Sequence, residues 1–176
     1  VSKESEHHGL PFYFKDLRDN KVVVFRAFID GITENVAPTW DTEEYIGRSE
    51  PVYVYGSTER DFSFNLKLWA QTSTELLHIY AKINKLTSMC YPEYKDDQRF
   101  GVDTKNMTYN KMRMKPPLAE MRVGELYGRD GRNMLGFISS ISYTFPDETP
   151  WETMKGSRVP KAVDVAIEFQ VIHRVA

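Results

Sequence analysis

The sequence has one cysteine, no long apolar run and almost no net charge, and each shortage excludes a class of protein. Cys90 is the only cysteine in 176 residues, so a disulfide framework and a zinc site built on cysteine pairs are both impossible. The apolar runs are a few residues long, far short of the roughly 20 residues that span a bilayer. A net charge of −2 argues against binding nucleic acid through bulk positive charge.

The chain also lacks the motifs of known catalytic and cofactor sites. It contains no G-x-S-x-G, P-loop, H-E-x-x-H or C-x-x-C pattern. Cys90 follows an amphipathic stretch, where a buried and inert thiol is the more common arrangement. His78 and His173 belong to no recognisable metal-ligand motif. We therefore expect no catalysis, no cofactor and no metal site.

Aromatic side chains, in contrast, are plentiful. They make up 13% of the residues, and ten of them are tyrosines. With a hydrophobic content of 41%, this composition is typical of a folded domain and not of a disordered chain. Tyrosine is common where proteins contact each other, because its ring is apolar and its hydroxyl polar. The composition therefore favours contact with other proteins.

Alternation of apolar and polar residues predicts strands on both sides of a single helix. The clearest strand covers residues 62–68, where apolar side chains alternate with Ser63, Asn65 and Lys67. A shorter strand at 51–56 is expected to end at Gly56. The other predicted strands cover residues 21–31, 119–124, 137–145 and 162–171. The alternation places these aromatic residues on the core face: Phe62, Phe64, Phe137, Tyr143, Phe145 and Phe169.

The one predicted helix follows Thr72. Thr72 and Glu75 have the spacing of a capping box, in which each residue satisfies a backbone N–H of the other. Apolar residues then recur at helical spacing from Leu76 to Leu86. Because proline disfavours helix in the residue before it, the helix is expected to end before Pro92.

The element order β-β-β-α-loop-β-β-β predicts an α+β or mostly β fold. We expect an antiparallel β-sandwich or a barrel-like sheet, with one packed helix and long loops. Residues 1–21 are expected to form an N-terminal arm and residues 22–176 a single domain. Long loops are predicted at 91–117 and 146–160, and residues 33–50 are expected to be a connection or an irregular strand.

Two groups of residues are candidates for contact with partners. The first is the polar side of the predicted strands, which must meet water or a polar partner: Ser63, Asn65, Lys67, Ser140, Ser142 and Thr144. The second lies in the 91–117 loop, where tyrosines and basic residues are interleaved with methionines: Tyr91, Tyr94, Tyr109, Lys111 and Arg113. The basic residues Lys105, Lys111, Arg113 and Lys115 could contact a phosphate backbone, but an interface with a neighbouring subunit is favoured.

With Pro-Pro-Leu at 116–118 and Gly-Phe-Ile-Ser-Ser-Ile at 136–141, the chain resembles the tail-tube-like proteins of long-tailed bacteriophages, and within them most of all the baseplate tube-initiator branch. The two short motifs belong to that branch, and the resemblance extends over roughly residues 22–174. The segments that carry it are Val24–Trp40, Tyr45–Gly56, Arg60–Leu68, Met89–Tyr94, Lys115–Leu118, Leu135–Tyr143 and Val163–His173.

The resemblance implies a structural virion protein with the tail-tube fold. In that family six subunits form a ring, their strands join into a continuous β-barrel around a channel, and DNA passes through the channel during ejection. The expected partners are copies of the chain and the adjacent tail-tube and baseplate hub proteins. The expected location is the virion tail, assembled in the host cytoplasm. On this interpretation the polar strand residues are candidates for the channel lumen or for subunit interfaces.

Two other functions stay open at this stage. One is a tail-associated cell-wall hydrolase that would use glutamate or aspartate as its catalytic acids. The other is a monomeric adaptor or binding domain that would use a tyrosine-rich surface. The resemblance itself does not separate a tube protein from a tube initiator, because both have the same fold.

Overall fold

A computed structural model describes residues 12–95, 113–128 and 132–173 of the chain. Within them the protein is mostly β, with one helix, which confirms the predicted fold class. The elements in chain order are β1 (Phe12–Asp16), β2 (Val22–Val24), β3 (Phe28–Glu43), β4 (Val52–Trp69), α1 (Ser73–Ser88), β5 (Glu93–Lys95), β6 (Arg113–Lys115), β7 (Ala119–Val123), β8 (Met134–Thr144) and β9 (Ala162–Val171).

Seven strands form one antiparallel sheet in the order β2-β1-β7-β8-β9-β4-β3. Strands β5 and β6 pair separately with each other. In the described part of the chain, β2 and β3 each pair with only one strand of this sheet, so the sheet is open and not a closed barrel.

The open sheet is strongly curled around its core. Strands β1 and β4 are four strand spacings apart, which would separate them by about 19 Å in a flat sheet. The ring centroids of Phe12 and Phe64 are nevertheless 5.8 Å apart, and those of Phe14 and Phe64 are 6.3 Å apart. The two ends of the sheet therefore face each other across a shared aromatic core.

Helix α1 packs into the same core. Its apolar stripe places Leu76, Ile83 and Leu86 in buried positions. The predicted capping box is present: Thr72 accepts a hydrogen bond from the Glu75 backbone, and the Glu75 carboxylate accepts one from Thr72. The helix ends at Ser88, as its spacing before Pro92 predicts.

A cluster of charges joins the end of this helix to β1. The Asp16 side chain is buried, and its carboxylate accepts hydrogen bonds from Arg18 at 2.8 Å and Lys85 at 3.1 Å. Lys85 also contacts Asp19 at 3.0 Å. Arg18 donates in turn to the Ser88 carbonyl at the helix end. Because both cations contact one buried carboxylate, the cluster fixes the helix end against the β1–β2 turn.

The expected N-terminal arm at residues 1–21 is wrong for residues 12–16. These residues form β1, which pairs with both β2 and β7. Phe12 and Phe14 are buried in the core. Their alternation with polar residues was visible in the sequence, but the segment is only five residues long.

The N-terminal half contains longer strands than predicted. In place of one strand at 21–31, β2 ends early and β3 begins at Phe28. The irregular-strand alternative for residues 33–50 holds for the first part of that segment, because β3 continues to Glu43. Gly56 does not end a strand. It lies at a bulge of β4, where the register shifts between the cross-strand partners of Ser57 and Tyr55.

A bulge in β8 overturns part of the predicted core face. The register against β9 shifts between Ile138 and Ser140, so the alternation reverses at that point. Ile138 is buried, whereas Phe137 is 37% exposed. Phe145, which follows the end of β8, is also exposed. The prediction that Phe137 and Phe145 face the core is therefore wrong, while Phe62, Phe64 and Phe169 are buried as predicted.

The two predicted loops differ in how much of them the structure describes. In the 91–117 segment β5 pairs with β6, and residues 96–112 lie outside the described residues. The 146–160 loop contacts the start of α1, where Ser73 donates a hydrogen bond to Glu152 at 3.2 Å. An isolated bridge between Trp151 and Pro160 closes this loop on itself.

Candidate interaction surfaces

The first candidate surface is the polar face of strands β8, β9, β4 and β3, opposite the core. Antiparallel pairing aligns the side chains of this outer polar face in rows across the four strands. One such row contains Ser142, Ala166, Asn65 and Asp30. In the rows from Ser140 to Thr144, the face comprises Ser140, Ser142, Thr144, Asp164, Ala166, Glu168, Ser63, Asn65, Lys67, Asp30 and Thr33, all exposed or half-buried, together with the exposed ring of Phe28 opposite Lys67.

The structure thus brings together all six polar residues that the strand alternation singled out. They come from two strands, β4 and β8, that are separated in the sheet by β9. Strand β9 contributes Asp164, Ala166 and Glu168 between them. The sequence placed the β9 residues on the same side of their strand, but it could not show that this strand lies between the other two.

The outer polar face is predominantly acidic. Asp30, Asp164 and Glu168 are its carboxylates and Lys67 is its cation, so the face carries a net negative charge. Lys67 contacts Asp30 at 3.0 Å across the β3–β4 pair. This hydrogen bond raises the pKa of Lys67 and lowers the pKa of Asp30. Both groups are therefore charged at neutral pH.

The second candidate surface is a projecting hairpin, defined here as residues 36–59. Pairing between β4 and β9 stops at Asp61, so beyond that point β3 and β4 have only each other as described neighbours. None of residues 36–59 is buried. A two-stranded ribbon of this kind is at best marginally stable in water without further packing.

The projecting hairpin carries an unusual amount of exposed apolar surface. The rings of Trp40 and Tyr55 pack edge to face with centroids 5.3 Å apart, yet Trp40 remains 54% exposed. Ile46 at the tip is fully exposed. The large apolar residues exposed on the hairpin are Val36, Trp40, Tyr45, Ile46, Tyr53, Val54 and Tyr55. Contiguous surface of this type marks sites of contact between proteins.

The loop candidates are only partly placed. Tyr91 and Tyr94 are exposed. Arg113 begins β6, with its backbone opposite Lys95. Tyr109 and Lys111 lie outside the described residues.

The potentially reactive groups are not grouped into a site in the part of the chain that the structure describes. Burial raises the pKa of the Cys90 thiol, which makes it a poor nucleophile at neutral pH. Its sulfur lies 3.8 Å from the Leu86 carbonyl, within the last turn of the helix. No group of three or more potential metal ligands occurs among the described residues. None of their helices is long and apolar enough to cross a membrane.

Comparison with known proteins assigns no family to this geometry. No protein-family model and no curated protein matches the chain. The structural part of any functional interpretation therefore depends on the outer polar face, the open sheet edges and the projecting hairpin.

The projecting hairpin is not predicted as a surface from the sequence. Strand prediction depends on a buried face that alternates with an exposed one, and both faces of this ribbon are exposed. Pro38, within β3, also argued against a strand, although proline is tolerated on an edge strand. The available signal was the cluster of Trp40, Tyr53 and Tyr55, which is too apolar for an ordinary connection.

Proposed function

We propose that this chain is a structural subunit of a phage-like tail, forming a ring of the tail tube or of the baseplate tube initiator. The ring surrounds a channel through which DNA passes during ejection. The proposal combines the family resemblance with the geometry of the sheet. The observation that carries it is the long, exposed edge formed by β3 and the projecting hairpin.

Strand β3 is 16 residues long and lies at the edge of the sheet. Its outward backbone N–H and C=O groups have no neighbouring strand among the described residues. Long edges of this kind promote pairing with another chain, and monomeric proteins usually shorten or cover them. Here the edge is continuous with an exposed apolar hairpin, so both features favour packing against a second copy.

The direction of that packing favours a ring. The projecting hairpin lies at one end of the 18-residue strand β4, and Trp69 lies at the other end. A contact between the hairpin of one copy and a different part of the next copy, such as the Trp69 end of β4, is a head-to-tail interface. Repeated interfaces of this type close into a ring when their rotation allows it.

The outer polar face is suited to the wall of the channel. It is wide enough to line a surface, with four strands about 4.8 Å apart. Its net negative charge repels the phosphates of DNA, so the wall would not retain the molecule that passes through it. Hydroxyl and amide side chains make up most of the remaining surface, which also includes Ala166 and the exposed ring of Phe28.

The first experiment is to measure the mass of the purified full-length chain over a range of concentrations by mass photometry, and to image it by negative-stain electron microscopy. We expect hexameric rings with a central channel, or tubes of stacked rings. A strictly monomeric protein at high concentration, with no rings in the images, would contradict the proposal.

A second experiment tests the channel wall itself. In assembled rings, the double substitution Asp164→Lys and Glu168→Lys reverses the charge of the outer polar face. We expect these rings to bind short duplex DNA, while the parent rings do not. A double variant with Glu125→Lys and Asp147→Lys is the control, because these two exposed carboxylates lie outside the face. Equal DNA binding by both variants would exclude the outer polar face as the wall.

A further inference from the structure

Three side chains meet at the root of the projecting hairpin. The Glu34 carboxylate accepts a hydrogen bond from Arg60 Nε at 2.7 Å through one oxygen and from the Tyr127 hydroxyl at 3.0 Å through the other. Arg60 belongs to β4, diagonally opposite Glu34 of β3 at the base of the hairpin, whereas Tyr127 belongs to the β7–β8 connection. A single carboxylate thus joins the hairpin root to a different part of the fold.

Aromatic packing ties the same residues to the core. The Tyr127 ring lies 4.4 Å from the ring of Phe62, which is buried. The Arg60 guanidinium lies 5.0 Å from the centroid of that Phe62 ring. The hydrogen bonds from Arg60 and Tyr127 also lower the pKa of Glu34, so its carboxylate is charged at neutral pH. Arg60 and Tyr127, the two partners of Glu34, are each held by a second contact with the Phe62 ring.

Tyr127 is a firm attachment point because its backbone is fixed. Tyr127 and Val123 exchange two backbone hydrogen bonds, at 2.9 Å and 3.1 Å. The following residue, Gly128, has a φ of +99°, a conformation that other residues rarely adopt. The turn thus holds the tyrosine at the end of β7, a strand that is itself paired on both sides.

The cluster lies at the base of a long ribbon, so a small change in angle there produces a large displacement at the far end. Outward from Arg60, no hydrogen bond or ion pair connects residues 36–59 to another described element of the fold. Eight residues of β3 in the hairpin extend it by about 26 Å, so a change of roughly 10° at the root moves the far end by about 4–5 Å. Binding sites need their groups held to within about 0.5 Å, so such a shift would misplace the hairpin on its partner.

We propose that Tyr127, Glu34 and Arg60 form a latch that sets the direction of the projecting hairpin, and that assembly requires this direction. This inference rests on the proposed function, since the hairpin is taken to contact the next copy in a ring. The latch determines where the apolar surface of the hairpin points. Loss of the latch leaves the subunit folded but lowers its ability to assemble.

Two variants and a matched control test the latch. Tyr127→Phe removes only the hydroxyl and keeps the ring on Phe62, and Glu34→Gln removes the charge that pairs with Arg60. Asn35→Ala is the control: Asn35 makes a 3.2 Å hydrogen bond to Asp61 across the same two strands, at the adjacent level. The control weakens the ribbon root without touching the β7–β8 connection.

The direction of the hairpin is measured on unassembled protein by pulsed electron paramagnetic resonance. Spin labels are attached at Ser49→Cys near the hairpin tip and at Thr74→Cys on the exposed side of α1, in a Cys90→Ala background. We expect broader distance distributions for Tyr127→Phe and Glu34→Gln than for the parent and the Asn35→Ala control. The same substitutions without labels should raise severalfold the protein concentration needed for half-maximal ring formation.

The outcomes separate this inference from the proposed function. Distance distributions as narrow as those of the parent would overturn the latch. Broader distributions with unchanged assembly would overturn its role in assembly. If the parent itself never assembles, the proposed function falls and takes the assembly role with it, while the distance distributions still decide whether the latch sets the hairpin direction.

Discussion

Phe169 lies at the centre of the aromatic core and has no exposed surface. Its ring packs near that of Phe14, on the opposite end of the curled sheet, at 6.2 Å. Phe169→Asp would place an unpaired carboxylate in this environment, and burial of a charge without a partner prevents folding or severely destabilises the fold. We expect no cooperative unfolding transition for this variant in thermal melts followed by circular dichroism.

The matched control for that change is Phe137→Asp on the adjacent strand. Phe137 is half-exposed because of the bulge that follows it, so we expect this variant to stay folded, with a melting transition close to that of the parent. If Phe137→Asp unfolded the subunit as completely as Phe169→Asp, the bulge in β8 would be misplaced.

Asp16 gives the molecule a defined response to acid. Burial alone would raise the pKa of this carboxyl, but the hydrogen bonds from Arg18 and Lys85 outweigh burial and hold its pKa well below the usual value. A carboxyl with a lowered folded-state pKa stabilises the fold above its unfolded pKa of about 3.9, and this contribution is lost as the pH falls below that value. We therefore expect Asp16→Asn to be less stable than the parent by about 3 kcal/mol at neutral pH.

Urea unfolding at neutral pH and at about pH 3 measures this response, since part of the Asp16 contribution is already lost there. The difference in unfolding free energy between parent and Asp16→Asn should shrink at the lower pH. Asp147→Asn, an exposed carboxyl in the 146–160 loop, is the control and should differ little from the parent at either pH. A difference for Asp16→Asn that stayed constant with pH would show that Asp16 acts through shape and not through charge.

For single residues, the sequence predicts burial well where the strand pleat is regular. In β4 and β9 the alternation runs without interruption through the buried segment, so Phe64 and Phe169 were correctly assigned to the core. In β8 one extra residue reverses the alternation, and Phe137 was assigned to the wrong side. A bulge adds one residue without a fixed composition signal, so a periodic pattern cannot place it.

The helix is the element with the most explicit sequence signals, and its capping box can be tested alone. Thr72→Ala removes the side chain that accepts the Glu75 backbone N–H at 3.2 Å. Loss of such a cap costs about 1 kcal/mol, which chemical denaturation should show as a lower midpoint with an unchanged slope. Thr74→Ala, an exposed change in the same helical turn, should leave the midpoint close to that of the parent. Equal shifts for both variants would refute a capping role.

Strands and helices could be predicted where one face is buried, because burial makes apolar residues recur at a regular spacing. They were missed where neither face is buried. The predicted bounds of β9 and α1 agree closely with the structure, because each has one buried face. The outer half of the β3–β4 pair has no buried face and therefore no period. The order of strands in the sheet could not be predicted from the sequence either, since alternation shows which side of a strand is buried but not which strand lies beside it.

For the whole molecule, the separation of core and projecting hairpin predicts that one can be removed without the other. Replacing residues 37–59 by Asn-Gly would close β3 onto β4 with a two-residue turn suited to hairpins. No buried residue is lost, so we expect a folded subunit with a melting temperature near that of the parent. We expect ring formation to be abolished, as measured by mass photometry.

A tip variant serves as the control for that replacement. Ile46→Ser changes only one exposed side chain and leaves the hairpin strands intact. It should reduce assembly far less than removal of the hairpin. Undiminished rings from the shortened chain would show that the hairpin is not the assembly element.

The place of β9 in the sheet has a consequence for how the protein is made. This strand is the last of the described strands along the chain, yet it lies between β8 and β4 and pairs with both along most of its length. Its partners in β4 leave the ribosome far earlier, so the sheet forms through contacts that are distant in sequence, which slows folding. Until β9 has been translated, β4 lacks one neighbour and the core stays incomplete. If the chain assembles as proposed, the hairpin root therefore becomes complete enough to meet a second copy only after β9 has been made.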